Sequence, residues 1–179
     1  MVSFGLLCEA GEPVRLELRM MAMDSYGERF PIEANSAQGL HFLIVEGRAY
    51  PAIADEMKAG AIAALEAAGA TYETIPVPGA MEVPVGIAMA LDTDAYDGFV
   101  ALGCVIRGQS NHYVAVANES IRALAELAVV DALPLGIGIL TVENEGQAWT
   151  RARKTEGDRG GDAARAALAL AALKAKLNA

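Results

Sequence analysis

From His41 onward, short apolar runs alternate with longer amphipathic stretches, which predicts βαβ units whose helices cover a parallel sheet. The apolar runs place strands at residues 42–45, 71–76, 98–105 and 134–140. Their near-continuous hydrophobicity predicts burial on both faces. Between the first two strands, a helix is expected from near Pro51, whose fixed φ suits a first helical turn, to near Gly69, which can take a left-handed cap. A second helix follows Pro84. A third runs from near His112 to about Val130, with Val116, Ile121, Leu124 and Leu127 at helical spacing. Residues 143–153 and 161–177 supply two more, the last rich in Ala, with Lys174 and Lys176 where cations suit the helix dipole. The polar stretch at 154–160 has two readings: a solvated connection, or a subunit contact or lid.

Residues 1–37 follow no such pattern. Charges are scattered among apolar residues, and Met20, Met21 and Met23 cluster, leaving a later start open. This part is expected to be an N-terminal extension, either loosely attached or an arm that adds a strand to a neighbour's sheet. Residues 38–179 then form one domain. A length of 179 residues with 54% hydrophobic content supports one sizeable core rather than two.

Charge narrows the partners. With 14 Lys+Arg against 23 Asp+Glu the net charge is −9, and no basic run provides a footprint for nucleic acid or an anionic membrane. Aromatic content of 6% also argues against a base-stacking platform. Cys8 and Cys104 match neither a paired metal-ligand spacing nor a disulfide framework, which fits a reducing compartment. No apolar run approaches the roughly 20 residues that span a bilayer. Glu9, Glu12 and Arg15 interrupt the place where a signal peptide would be apolar, so the expected location is cytoplasmic.

In open parallel sheets, ligands bind beyond the carboxyl ends of the strands, which directs attention to loops 46–51, 77–84 and 106–112. In the third, Gly108 lets a ligand approach the backbone, while Gln109, Ser110 and Asn111 lead into a helix start that favours an anion. His112 at that start is either a proton carrier or, more commonly for a lone histidine, a structural or surface residue. Glu82 either accepts hydrogen bonds from ligand hydroxyls or stabilises a helix N-terminus by roughly 0.3–1 kcal/mol. Cys104, in an apolar run, reads as an inert buried thiol before a nucleophile. Arg107, Arg151 and Arg159 are each phosphate partners or solvated surface residues. No Gly-x-Gly-x-x-Gly or Gly-Lys-Ser/Thr loop supports a dinucleotide or nucleoside triphosphate cofactor.

Taken together, these loops resemble those of the lumazine synthase family of riboflavin biosynthesis. The resemblance rests on Val77-Pro78-Gly79-Ala80-Met81-Glu82-Val83-Pro84, and on Leu102-Gly103-Cys104-Val105-Ile106-Arg107-Gly108 followed by His112. It extends through Asn118-Glu119-Ser120 and Thr141-Val142-Glu143-Asn144 to Gln147-Ala148, and covers roughly residues 38–178. It implies a flavodoxin-like three-layer α/β/α sandwich with a parallel sheet of about four strands. It also implies homo-oligomers, pentamers or multiples of pentamers, with active sites between subunits. The implied reaction joins 5-amino-6-(D-ribitylamino)uracil to 3,4-dihydroxy-2-butanone 4-phosphate, releasing inorganic phosphate and water without metal or organic cofactor. By the same resemblance, His112 transfers protons, and Gln109 and Ser110 hold the phosphate with Arg151 of a neighbouring subunit. Glu82 binds the ribityl hydroxyls, Ala80 and Met81 supply backbone contacts beside it, and Cys104, Val105 and Ile106 face the pyrimidine.

The chain departs from the family pattern at several of these positions. Ala49 stands where the family usually has Phe or Trp stacked on the pyrimidine, and the ring moves to Tyr50. Val114 replaces the usual acidic residue after His112-Tyr113, removing a partner for an imidazolium. Ser110 replaces a common Thr, and Ile137 stands where Phe is frequent, beside the phosphate. Three functional readings follow: an active synthase, a homologue that binds flavin or lumazine with little turnover, and a shell-forming structural protein.

Overall fold

The computed structural model describes residues 33–178. Four strands, β1 (His41–Gly47), β2 (Thr71–Val77), β3 (Gly98–Ile106) and β4 (Leu135–Val142), form an all-parallel sheet in the order β2-β1-β3-β4. The five helices are α1 (Pro51–Ala67), α2 (Val83–Leu91), α3 (His112–Val130), α4 (Glu145–Ala152) and α5 (Arg159–Asn178). The chain winds outward from β1 in both directions, so the strand order reverses between β1 and β3. That is the crevice in which doubly wound sheets bind ligands.

Side-chain alternation divides the core into two layers, giving the three-layer α/β/α sandwich of the flavodoxin type. Phe42, Ile44, Val100, Leu102, Leu140 and Val142 meet α1, α4 and α5 on one face. Leu43, Val45, Phe99 and Ala101 meet Val83 and Ile87 of α2 and Leu124 of α3 on the other. Strands β1 and β3 are therefore buried almost throughout.

The expectation of two-sided burial fails for the outer strands. Most of β2 is exposed, and β4 leaves Ile137 and Thr141 exposed. Both strands are sheet edges, and the nine-residue α2 is too short to cover β2. Pro76, which has no N–H to donate, suits an edge.

Helix boundaries follow local chemistry. Pro51 occupies the first turn of α1, and Gly69, with φ +75°, takes the left-handed conformation just beyond its end. Helix α4 starts at Glu145 rather than Glu143. The Asn144 side chain accepts from the Gln147 backbone N–H at 3.0 Å, while the Gln147 side chain accepts from the Glu143 N–H at 3.1 Å. The pair is a variant of the capping box, with Asn144 as the cap and Gln147 reaching back to the residue before it. Helix α5 starts two residues earlier than expected, at Arg159. Gly160 and Gly161 lie in its first turn: a Cβ on Gly160 would collide with the Met57 backbone of α1, and one on Gly161 with the Asp158 side chain.

Residues 154–158 fold back onto the helices, with the Gly157 N–H on the Thr150 carbonyl at 2.9 Å and the Lys154 N–H on Glu56 at 3.2 Å. Of the expected extension, residues 1–32, including Cys8 and the three clustered methionines, lie outside the described residues. Residues 33–37 pack on the end of α1, where the Ala37 N–H donates to the Ala68 carbonyl at 2.8 Å and Ala37 is buried.

Candidate active site

At the carboxyl ends of β1, β2 and β3 lies a cavity of about 400 Å³. Ala49 and Tyr50 come from the loop after β1, and Gly79, Ala80, Met81 and Glu82 from the loop after β2. The end of β3 and its loop add Cys104, Val105, Ile106, Gly108 and Ser110, while His112, Tyr113 and Val116 come from the first turns of α3. A larger concavity of about 480 Å³ opens at the opposite end of the sheet, beside Asp94, Asp97, Asp131 and Lys174, and holds none of the candidate site residues.

Backbone contacts join the first two loops. The Arg48 N–H donates to the Val77 carbonyl at 2.8 Å, and a Cβ on Gly47 would stand 2.9 Å from the Gly79 carbonyl carbon. Glu82 occupies the N-cap position of α2, yet its side chain makes no capping hydrogen bond. The carboxylate instead lies over the turn, with one oxygen 3.3 Å from where a Gly79 Cβ would be. Glu82 is among the residues that line the cavity.

The third loop brings hydroxyl, imidazole and helix start together. The Ser110 hydroxyl accepts weakly from the His112 N–H at 3.4 Å, and the Asn111 side chain does not cap α3. An anion settling there would meet the positive end of a 19-residue helix. His112 is exposed at the cavity edge, and the neighbouring Val114 is also exposed.

Cys104 is buried, and loss of hydration pushes its thiol up to about 12, so it is a neutral wall atom at physiological pH. Arg107 is not among the cavity-lining residues; it pairs with Glu143 at 3.0 Å and lies 5.2 Å from the centre of the Tyr113 ring, which does line the cavity. The hydrogen bond to Glu143 is the main cause that raises its pKa.

Of the residues that the resemblance implies for the site, three are not among the cavity-lining residues. Gln109 lies between Gly108 and Ser110, which do line it. Ile137 is 37% exposed on edge strand β4. The exposed Arg151 on α4 donates to the Gln147 carbonyl at 3.2 Å. Arg159 is occupied by Asp162 at 3.1 Å. Sequence reasoning missed Tyr113 and Val116 as wall residues; Val116 lies one turn beyond His112, which was the available signal. Among the described residues no group of three or more His, Cys, Asp or Glu side chains could hold a metal ion, and no described helix is long and apolar enough to cross a membrane.

The family model for 6,7-dimethyl-8-ribityllumazine synthase matches residues 39–175, which span the sheet and every loop of the cavity. The chain belongs to the lumazine synthase family. It is 61% identical over 145 residues to 6,7-dimethyl-8-ribityllumazine synthase 1 of Rhizobium meliloti (strain 1021), covering 78% of this chain and 95% of that protein. It is 58% identical over 142 residues to 6,7-dimethyl-8-ribityllumazine synthase of Agrobacterium fabrum, covering 76% of this chain and 96% of that one. Against the Methylobacterium radiotolerans protein of the same name, identity is 58% over 136 residues, 76% of this chain and 83% of the relative. The cavity lies where a doubly wound parallel sheet ordinarily binds ligands.

Proposed function

We propose that this chain condenses 5-amino-6-(D-ribitylamino)uracil with 3,4-dihydroxy-2-butanone 4-phosphate to give 6,7-dimethyl-8-ribityllumazine, phosphate and water. The observation that carries this reading is the convergence of Tyr50, Glu82, Cys104–Ile106, Ser110 and His112 on one cavity. The apolar end of β3 with Ala49 and Tyr50 takes the flat pyrimidine, Glu82 takes the ribityl hydroxyls with the Ala80 and Met81 backbone beside it, and Gln109 with Ser110 takes the phosphate at the start of α3.

The pyrimidine supplies its own amine to attack the ketone carbonyl, so imine formation needs no lysine. Loss of a first water at that step, proton abstraction beside the imine, departure of phosphate, and ring closure by the ribityl-bearing amine on the remaining carbonyl with loss of a second water all require proton movement. His112, beside Ser110 at the start of α3, carries those protons in this reading. Holding two reactants in one orientation can itself lower the barrier by roughly 7–11 kcal/mol, which suits a site without metal or organic cofactor. We assign Arg151 and Ile137 to the cavity of an adjacent copy, since both are exposed and away from their own. The working unit is then a homo-oligomer with shared sites, built from residues 38–179, with residues 1–37 as an appended segment.

Steady-state turnover with both substrates tests the proposal. Product formation above the uncatalysed condensation is expected, with a fall of about 10²–10⁴-fold in kcat for His112→Ala. Turnover at the uncatalysed rate beside measurable flavin binding would favour the alternative of a binding homologue, for which Ala49 in place of a ring is the motivating observation.

A further inference from the structure

Among the described residues, Glu46, Ser120 and Asp162 are the buried polar side chains. The Ser120 hydroxyl donates within its own helix to the Ala117 carbonyl, and Asp162 pairs with Arg159 and Arg165 at the foot of α5. Glu46 stands elsewhere, at the carboxyl end of β1, three residues before the cavity wall begins at Ala49. A carboxylate is buried there only because it is fully paired. One oxygen accepts from Lys58 Nζ at 2.8 Å and the other from Arg48 Nη1 at 3.1 Å. Arg48 also bonds to Asp55, and Lys58 lies 3.6 Å from the same Asp55 oxygen. Two carboxylates and two cations thus close a ring that ties the end of β1 to the first turns of α1.

None of these four side chains lines the cavity. Arg48 is pinned twice, through its N–H to the Val77 carbonyl and through its guanidinium to Glu46 and Asp55. Ala49 and Tyr50 follow at once, and Pro51 opens α1. The wall of two residues is therefore suspended between two fixed points, one of which depends on Glu46.

We propose that Glu46 is a positioning residue: by gripping Arg48 and Lys58 from behind the wall, it sets Ala49 and Tyr50 for the pyrimidine. The assignment of that wall to the pyrimidine rests on the function proposed above. A glutamine at position 46 would keep the size but turn an N–H donor toward one of two cations, releasing one side of the ring. Arg48→Lys would keep the charge but lose the planar fork that spans Glu46 and Asp55.

The test uses the full chain and two readouts: equilibrium titration with the pyrimidine substrate, and KM for each substrate in steady state. Glu46→Gln and Arg48→Lys are each expected to weaken pyrimidine binding about tenfold, as displacement of a positioning element does. KM for the butanone phosphate should stay within about twofold, because its corner is built by α3. The double variant should be no worse than the weaker single one, as for residues acting through one network. A merely structural role would lower active protein and apparent kcat while leaving both KM values and the pyrimidine affinity unchanged, and that result overturns the proposal. Should Glu46→Gln fail to fold, the half-buried Arg48 carries the test by itself. Wild-type chain that binds the pyrimidine without turnover would remove the proposed function and leave this inference standing. Active wild-type chain with unaltered pyrimidine affinity in both variants would do the reverse.

Discussion

Replacing Gly47 with alanine puts one methyl group into the seam between the first two cavity loops. The new Cβ would stand 2.9 Å from the Gly79 carbonyl carbon, 3.0 Å from its oxygen and 3.1 Å from the Ala80 nitrogen. All three are backbone atoms, so no side chain can swing away. Ordinary contact begins at 3.4 Å, so the loops must part by 3.4 − 2.9, about 0.5 Å. Overpacking of this kind costs about 1–3 kcal/mol, and urea unfolding should register it. The functional effect should be larger in relation to the change. Gly79, Ala80 and Tyr50 face one cavity, and a misplacement of about 1 Å can cost about 10²-fold in rate. Half that opening predicts a loss of about tenfold in kcat/KM, measured on protein that is folded at the assay temperature. A folded Gly47→Ala variant with kcat/KM unchanged would refute the idea that contact between these loops sets the site.

Two further outcomes rest on other parts of the cavity. Arg151→Ala should raise KM for the butanone phosphate by about tenfold or more while leaving KM for the pyrimidine alone, since a charged hydrogen bond to phosphate contributes about 1.5–3 kcal/mol. For Cys104, burial favours the neutral thiol, so the folded state holds its proton more tightly than the unfolded chain. Stability from this source is complete below the ordinary thiol pKa of 9.0 and is lost as pH rises from there through about 12. Denaturant unfolding across that range should show a shallower alkaline slope in Cys104→Ala, with Tyr72 and Tyr96, whose pKa values are also raised, supplying the rest. In a Cys8→Ala background, iodoacetamide at pH 8 should modify Cys104 about 10³-fold more slowly than an exposed thiol.

How far the fold could be read depended on whether the cause was local. Strands β1 and β3 announced themselves, because both alternating sets of side chains had to be apolar to fill both layers. The exposure of β4 was not visible in its own composition, since it follows from strand order, whereas β2 carried Thr71, Glu73, Thr74 and Pro76 as local marks of an edge. Gly160 and Gly161 obscured the start of α5, because glycine ordinarily argues against helix, and only the tertiary neighbours, the α1 backbone at Gly160 and the Asp158 side chain at Gly161, show why it stands there. Loops 46–51, 77–84 and 106–112 were found from topology and do share a cavity. The ring around Glu46 stayed hidden, as its members come from β1, the following loop and α1, and nothing in their spacing shows that Lys58 reaches back twelve residues.

The sharing of each site between two copies is the central claim, and co-expression of His112→Ala with Arg151→Ala tests it most directly. Each variant alone lacks one half of every site. In a mixed ring with head-to-tail contacts, about one quarter of the interfaces would pair an intact His112 with an intact Arg151 from the neighbour. With the butanone phosphate well below its KM, where sites lacking Arg151 are also slow, activity near that fraction of wild type is predicted in particles that mass analysis shows to be mixed. Mixed particles with no recovery would mean that both groups must come from the same chain, contradicting the account.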